Sequence, residues 1–200
     1  MVISTQLPPL GSPAILQPFQ PLLLTANRSK SRIVAAASND TLVKPSPSLS
    51  DVIWPSAGAF AAMAVLGKID QILEPKGLQI LIAPFGAVCA TLLATPAAPS
   101  AQEYNLFLSH ICCSVVSVLA LNVFEGGWLA KGCGLAASIA IMIVTRCVHP
   151  PAASLPLVFV DVAKFHRLNF WYAVFPGLAG CLIIWMIKQV VLFLKENARF

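Results

Sequence analysis

Polar residues along this chain gather in short clusters, and the apolar stretches between them set the elements. WPSAGAFAAMAVL, residues 54–66, is apolar and rich in small residues, and the polar run GKIDQILEPKG follows as a turn. LQILIAPFGAVCATLLAT, residues 78–95, is long enough to cross a hydrocarbon core of about 30 Å, although Pro84 and Gly86 interrupt it. After the loop PAAPSAQEYN comes a continuous span over 106–124, then Glu125-Gly-Gly, then a further span over 128–144. The next apolar stretch, 146–160, is too short to cross as a helix, and its His149-Pro150-Pro151 breaks it near the start. A polar loop, DVAKFHRLN, leads to the last span, 170–194, which contains Pro176-Gly177. The pattern predicts an all-α, polytopic transmembrane helical bundle of about five spans plus a proline-broken half-helix at 149–160. Trp54, Trp128, Trp171 and Tyr172 stand near segment ends, where amphipathic rings prefer the membrane interface.

Composition agrees with this layout. The chain has 200 residues, of which 58% are hydrophobic and 10% charged, and its mean hydropathy is +0.80. A soluble domain carries roughly 25% charged residues, so this chain could not cover a globule with polar surface. The net charge of +5 is concentrated at the start: residues 1–50 hold four bases and one acid, leaving nine bases and seven acids for the rest. That balance gives no reason to expect nucleic acid as a partner. Membrane lipid is the expected surroundings, and a homo-oligomer is left open. All six cysteines lie in apolar runs without C-x-x-C spacing. They read as small buried hydrophobes; no metal site, cofactor or catalytic residue is expected.

Residues 1–50 are rich in Ser, Thr and Pro and contain one acid, Asp40. Their first base is Arg28, which does not fit a secretory signal. The profile is that of an organelle transit peptide, and the uncharged, apolar opening MVIS favours a chloroplast. Ile33-Val34-Ala35-Ala36 suits a stromal processing site. The expected organisation is a transit peptide over 1–37, a disordered tether over 38–51, the transmembrane domain over 52–194 and a short polar tail over 195–200.

Two portions of the chain echo each other. In each, a tryptophan (Trp54, Trp128) opens a Gly/Ala-rich helix, a proline breaks a later segment, and an asparagine starts a long apolar span. The distances from Pro84 to Asn105 and from Pro150 to Asn169 are 21 and 19 residues. Paired interruptions in corresponding halves are the best sequence pointer to a transporter's central site. A proline in hydrocarbon frees backbone groups that water cannot satisfy, so the break must be packed in protein or line a cavity. Proline also suits the first turn of a helix. The breaks at Pro84-Phe85-Gly86 and Pro150-Pro151 are therefore expected to start short helices whose free N–H groups face a small anion. Arg146 and His149 are one helical turn apart just before the second break. A mid-membrane arginine costs about 2.5–3.5 kcal/mol, so Arg146 is expected to face the bundle interior and attract an anion. His149 would bind it or carry a proton. Ser154 adds a hydroxyl, and His110 in the middle span is a further candidate. The alternatives are that Arg146 snorkels to headgroups, that His149 caps the preceding helix, and that Pro84, Pro156 and Pro176 are plain kinks.

The same residues resemble the HPP family of integral membrane proteins, which takes its name from the His-Pro-Pro motif. His149-Pro150-Pro151-Ala152, APFGA at 83–87, APSAQ at 98–102 with Asn105, and His110 carry the resemblance, which covers about residues 52–194. Ala153 stands where members usually have Gly, and Tyr104 and Ser109 replace the usual Arg and Gly. Plant members with transit peptides are similar to proteins assigned to nitrite transport across the chloroplast envelope. The resemblance thus implies gradient-driven, non-enzymatic passage of nitrite across the inner envelope, with proton coupling left open. The sequence contains no GxxxxGK[ST] loop for ATP. The alternative is a structural or assembly subunit of a plastid membrane complex.

Overall fold

A computed structural model describes residues 46–198. The leader assigned to 1–37 and most of the tether lie outside the described residues. Helix α1 spans Leu49–Leu73, so it begins inside the segment read as tether. Ser48 starts it: its hydroxyl accepts from the Asp51 N–H at 3.2 Å, and the Asp51 carboxylate accepts from the Ser48 N–H at 3.2 Å. This reciprocal pair satisfies two of the donors a helix start leaves free. Nor does α1 stop where the polar run GKIDQIL begins. Nothing there breaks a helix until Pro75 and Gly77. Gly77 takes φ +71, with Leu78 N–H bonded to Leu73 O at 3.3 Å and Gly77 N–H to Glu74 O at 2.9 Å. That closure needs a left-handed residue, which glycine adopts without cost.

Residues 78–83 are non-helical, and helix α2 covers Pro84–Cys89, continuing as a π turn through Ala94. The expected span over 78–95 is therefore only half a helix. Pro84 has no N–H to donate to the preceding turn, so a helix can start there but not pass through. Upstream, the Asp70 carboxylate takes the N–H groups of Ile80 and Leu81 at 2.7 and 3.0 Å, pinning the non-helical stretch to the end of α1. Helix α3 is Glu103–Phe124 and α4 is Gly127–Val144. After the His-Pro-Pro break, a 3-10 turn over Pro150–Ser154 leads into α5, Leu155–Asp161. A short α6, Ala163–His166, and irregular helical turns over Asn169–Leu178 precede α7, Ala179–Asn197. Among the described residues four helices, not five, are long and apolar enough to cross a membrane: those beginning at Leu49, Glu103, Gly127 and Asn169. The window of α3 is 50% buried against 17% for α1 and 22% for α4, so α3 is the central helix. Large apolar side chains such as Phe60, Trp128 and Phe193 face outward, as lipid-facing positions should.

Contacts give each segment a direction. Trp54 Nε1 donates to Ala198 O at 3.0 Å, and Asp51 pairs with Lys195 at 2.8 Å, so α1 and α7 run antiparallel. Asp70 holds the upper start of the first broken segment, while Leu93 at its end lies beside Gly58 near the start of α1. Trp185 Nε1 donates to Glu103 at 2.9 Å, which sets the start of α3 beside the middle of α7. Tyr104 donates to Thr145 O at 3.2 Å, bringing α4 back to that end. Lys131 pairs with Asp161, and a Cβ on Gly134 would stand 2.7 Å from Pro156, so α5 rises against α4. With α1 taken as upward, the chain runs up, down, up through α3, then down, up, down through α7. The sequence echo is thus a pair of three-segment units of opposite direction. They interlock: α1 packs on α7, α4 on α3, α2 on α7 and α5 on α3. The broken segments carry the inner positions, and α2 touches the 150–154 turn.

Candidate functional site

Two histidines are completely buried where the broken segments meet. His149 ends the non-helical linker after α4, and His110 sits two turns into α3; both have 0% exposure. Their ring centroids are 5.3 Å apart, and the ring of Phe85, at the start of α2, is 6.4 Å from that of His110. His110 Nδ1 is 2.8 Å from Leu106 O, and His149 Nδ1 is 2.7 Å from Ser100 O. A carbonyl oxygen only accepts, so each ring must carry its proton on Nδ1. In the neutral form each Nε2 is then a bare lone pair. Neither Nε2 has a partner, and the Ser114 hydroxyl, one turn beyond His110 on α3, has none either. Buried polar atoms are nearly always bonded, so two bare imidazole nitrogens on neighbouring buried rings mark a place built for something else.

The surrounding turn explains how His149 is held. Three successive carbonyls of the 3-10 turn Pro99–Ala101 each accept from a different element. Pro99 O takes Asn105 Nδ2 at 2.6 Å, Ser100 O takes His149 Nδ1 at 2.7 Å, and Ala101 O takes Lys188 Nζ at 2.9 Å. Lys188, on α7, is 7% exposed. Neither the Ser100 carbonyl nor Lys188 was singled out by sequence reasoning. A lysine inside the apolar run IIWMIKQVV was a readable signal; the Ser100 carbonyl left no trace in the sequence.

Several predicted site residues stand elsewhere. Arg146 is exposed. It has φ +56, with Cys147 N–H bonded to Met142 O at 3.0 Å and Arg146 N–H to Ile143 O at 3.2 Å. It is therefore the left-handed residue that closes α4. The helical phase linking Arg146 to His149 ends at that closure, and the guanidinium does not join the bundle interior. The break donors are also occupied. Phe85 N–H bonds Ile82 O at 3.0 Å, Gly86 N–H bonds Ala83 O at 3.1 Å, and Ala152 N–H bonds His149 O at 3.0 Å. Prolines 150 and 151 have no N–H at all. The helix starts thus spend their donors on their own tight turns instead of on a ligand. Pro84 and Pro151 are buried beside the break, whereas Pro150 and Gly86 are exposed. Ser154 donates to Pro151 O at 2.8 Å. Of the predicted set, the structure brings together His110, His149 and Phe85. The open crevice between α3 and α4, lined by Leu119, Cys133, Ala137 and Ile141 among others, is apolar and contains none of these groups.

Over residues 44–199 the chain matches the protein family described as HPP, transmembrane region. It is 30% identical over 153 residues to a transmembrane protein of Dictyostelium discoideum, covering 74% of this chain and 53% of that one. A second transmembrane protein of the same organism is 27% identical over 148 residues, 72% of this chain and 48% of its own. The chain spans about half the length of these curated relatives. No solved structure matches it.

Proposed function

The chain belongs to the HPP transmembrane family, and we propose on that footing that it is a gradient-driven transporter of a small inorganic anion, nitrite fitting best, in the chloroplast inner envelope. The observation that carries the reading is the buried His110–His149 pair, with both Nε2 atoms unpartnered at the junction of two broken segments. Neutral rings held in that tautomer cannot donate to an anion. An anion bound there needs a ring that has taken a second proton on Nε2, and the two opposite charges then offset each other in a dry site. Proton and anion thus favour each other's binding, and the conjugate base of a weak acid such as nitrite suits the exchange. The choice of nitrite and of the envelope comes from the resemblance and the leader-like first residues. A transporter fits better than an enzyme because, among the described residues, no carboxylate is bonded to the imidazoles to share acid–base work.

Nitrite uptake into liposomes holding the purified protein tests this. Uptake rises with an inward proton gradient in the wild type and falls by about tenfold or more in His149→Ala and His110→Ala, the scale expected for losing a charge-assisted hydrogen bond. Folded protein that takes up no nitrite refutes the reading, and unchanged uptake in both variants points to the assembly-subunit alternative.

A further inference from the structure

Lys188 is the charged group that the pair of histidines does not account for. It lies in the middle of α7, 7% exposed, and its Nζ donates to Ala101 O at 2.9 Å. The ion pairs among the described residues are Lys131 with Asp161 and Lys195 with Asp51, so no acid is spent on Lys188. Glu103, two residues beyond Ala101, is turned to its neighbours: its Oε1 accepts from Trp185 Nε1 at 2.9 Å and from Gln189 Nε2 at 3.4 Å. An ammonium carries three N–H groups and a full charge, and one carbonyl dipole satisfies one of the three. Charges at membrane depth are retained where a partner or a permeating ion offsets them.

The position of Lys188 says which ion. Ala101 O and Ser100 O are adjacent carbonyls of one turn, and the second of them holds His149. An anion resting against the lysine therefore lies on the turn that also holds His149. Among the described residues the other buried ionisable groups besides the histidines are the thiols of Cys89, Cys113, Cys147 and Cys181 and the phenol of Tyr172, while Arg146 is exposed. Lys188 is thus the buried lysine, arginine or carboxylate among the described residues.

We infer that Lys188 is a substrate-binding residue: its ammonium is the fixed positive charge that receives a small monovalent oxoanion and hands it to the His110–His149 pair. The inference rests on the transporter reading and sharpens it. While both rings are neutral, the lysine is one uncompensated positive charge and offsets one negative charge, so it receives singly charged oxoanions such as nitrite, nitrate or formate and not sulfate.

Two substitutions separate this role from a structural one. Lys188→Gln keeps a donor for Ala101 O but removes the charge, and Lys188→Arg keeps the charge. In proteoliposomes, Lys188→Gln raises the KM for nitrite by about tenfold or more while Lys188→Arg stays within a few-fold of the wild type, as expected for one charge-assisted contact. A wild-type KM in folded Lys188→Gln overturns the inference while leaving the transporter reading intact. If the wild type moves no anion, that reading fails, and binding decides the site by itself. Melting of the detergent-solubilised protein is then followed with sodium nitrite, nitrate, formate and sulfate at equal ionic strength. A rise with the monovalent anions that is absent in Lys188→Gln upholds the site. No rise, or an equal rise in the variant, overturns it.

Discussion

Gly180 offers the sharpest test of how the site is packed. It lies in the first turn of α7, and a Cβ built on it would run into the outer edge of the Phe85 ring, with Phe85 Cδ2 at 3.1 Å. Phe85 is 0% exposed, and its ring stands 6.4 Å from that of His110, so it has little room to retreat. Two effects of opposite sign compete in Gly180→Ala. Alanine is favoured over glycine in a helix by up to about 1 kcal/mol. Forcing a methyl into a filled core costs about 1–3 kcal/mol. The clash wins, and the variant is destabilised by up to about 2 kcal/mol. Because the ring is driven toward His110, nitrite uptake falls by more than the loss of folded protein explains. Adding Phe85→Leu removes the edge that collides, so the double variant recovers part of the loss and the two changes are strongly non-additive, as contacting residues are. Denaturant unfolding in detergent and proteoliposome uptake, measured together, read both effects. Gly180→Ala that is at least as stable as the wild type and transports normally refutes the packing described for α2 against α7.

Asp70→Ala strips the acceptor from two backbone donors, Ile80 and Leu81. A loss of about 1–3 kcal/mol is expected, the scale for leaving buried donors unsatisfied, with Asp70→Asn in between; unfolding midpoints check it. Arg146→Gly relieves a left-handed residue that is not glycine, and a gain of about 1 kcal/mol is expected. Uptake is retained in this variant, since the arginine side chain lies outside the histidine pair. A folded Arg146→Gly protein without uptake would return Arg146 to the anion path.

Much of the architecture was legible because a bilayer punishes irregularity. Apolar length alone located the helices that begin near Trp54, Asn105, Trp128 and Asn169, and the His-Pro-Pro break started a short helix as expected. The unit echo also held, since the same order of helix, broken segment and helix recurs in opposite directions. What failed did so for local reasons. The polar run after Leu66 read as a turn, yet polarity does not end a helix; Pro75 and Gly77 do. The segment 78–95 read as a span on its apolar length although Pro84 and Gly86 interrupt it, and length says nothing of what Pro84 does to hydrogen bonding. Arg146 was placed with His149 by extending helical phase across a closure that a left-handed arginine makes, an unusual choice that the sequence does not announce. His110 and His149 were both named, but their meeting depends on the Ser100 carbonyl, and a backbone acceptor forty-nine positions away carries no residue-type signal.

The interlocking of the two units has a consequence for the order in which the chain can be completed. Helix α1 finds its main partner in α7: Trp54 reaches Ala198 across 144 positions. The turn that holds His149 is finished by a lysine 87 positions beyond it. During synthesis, α1 through α3 therefore wait in the membrane with Gly58, the Ala101 carbonyl and the Phe85 face uncovered until α7 arrives. Such late closure is slow and leaves surfaces open to wrong partners. Neither unit is a finished piece by itself, and α7, made after both broken segments, is the helix that completes the site.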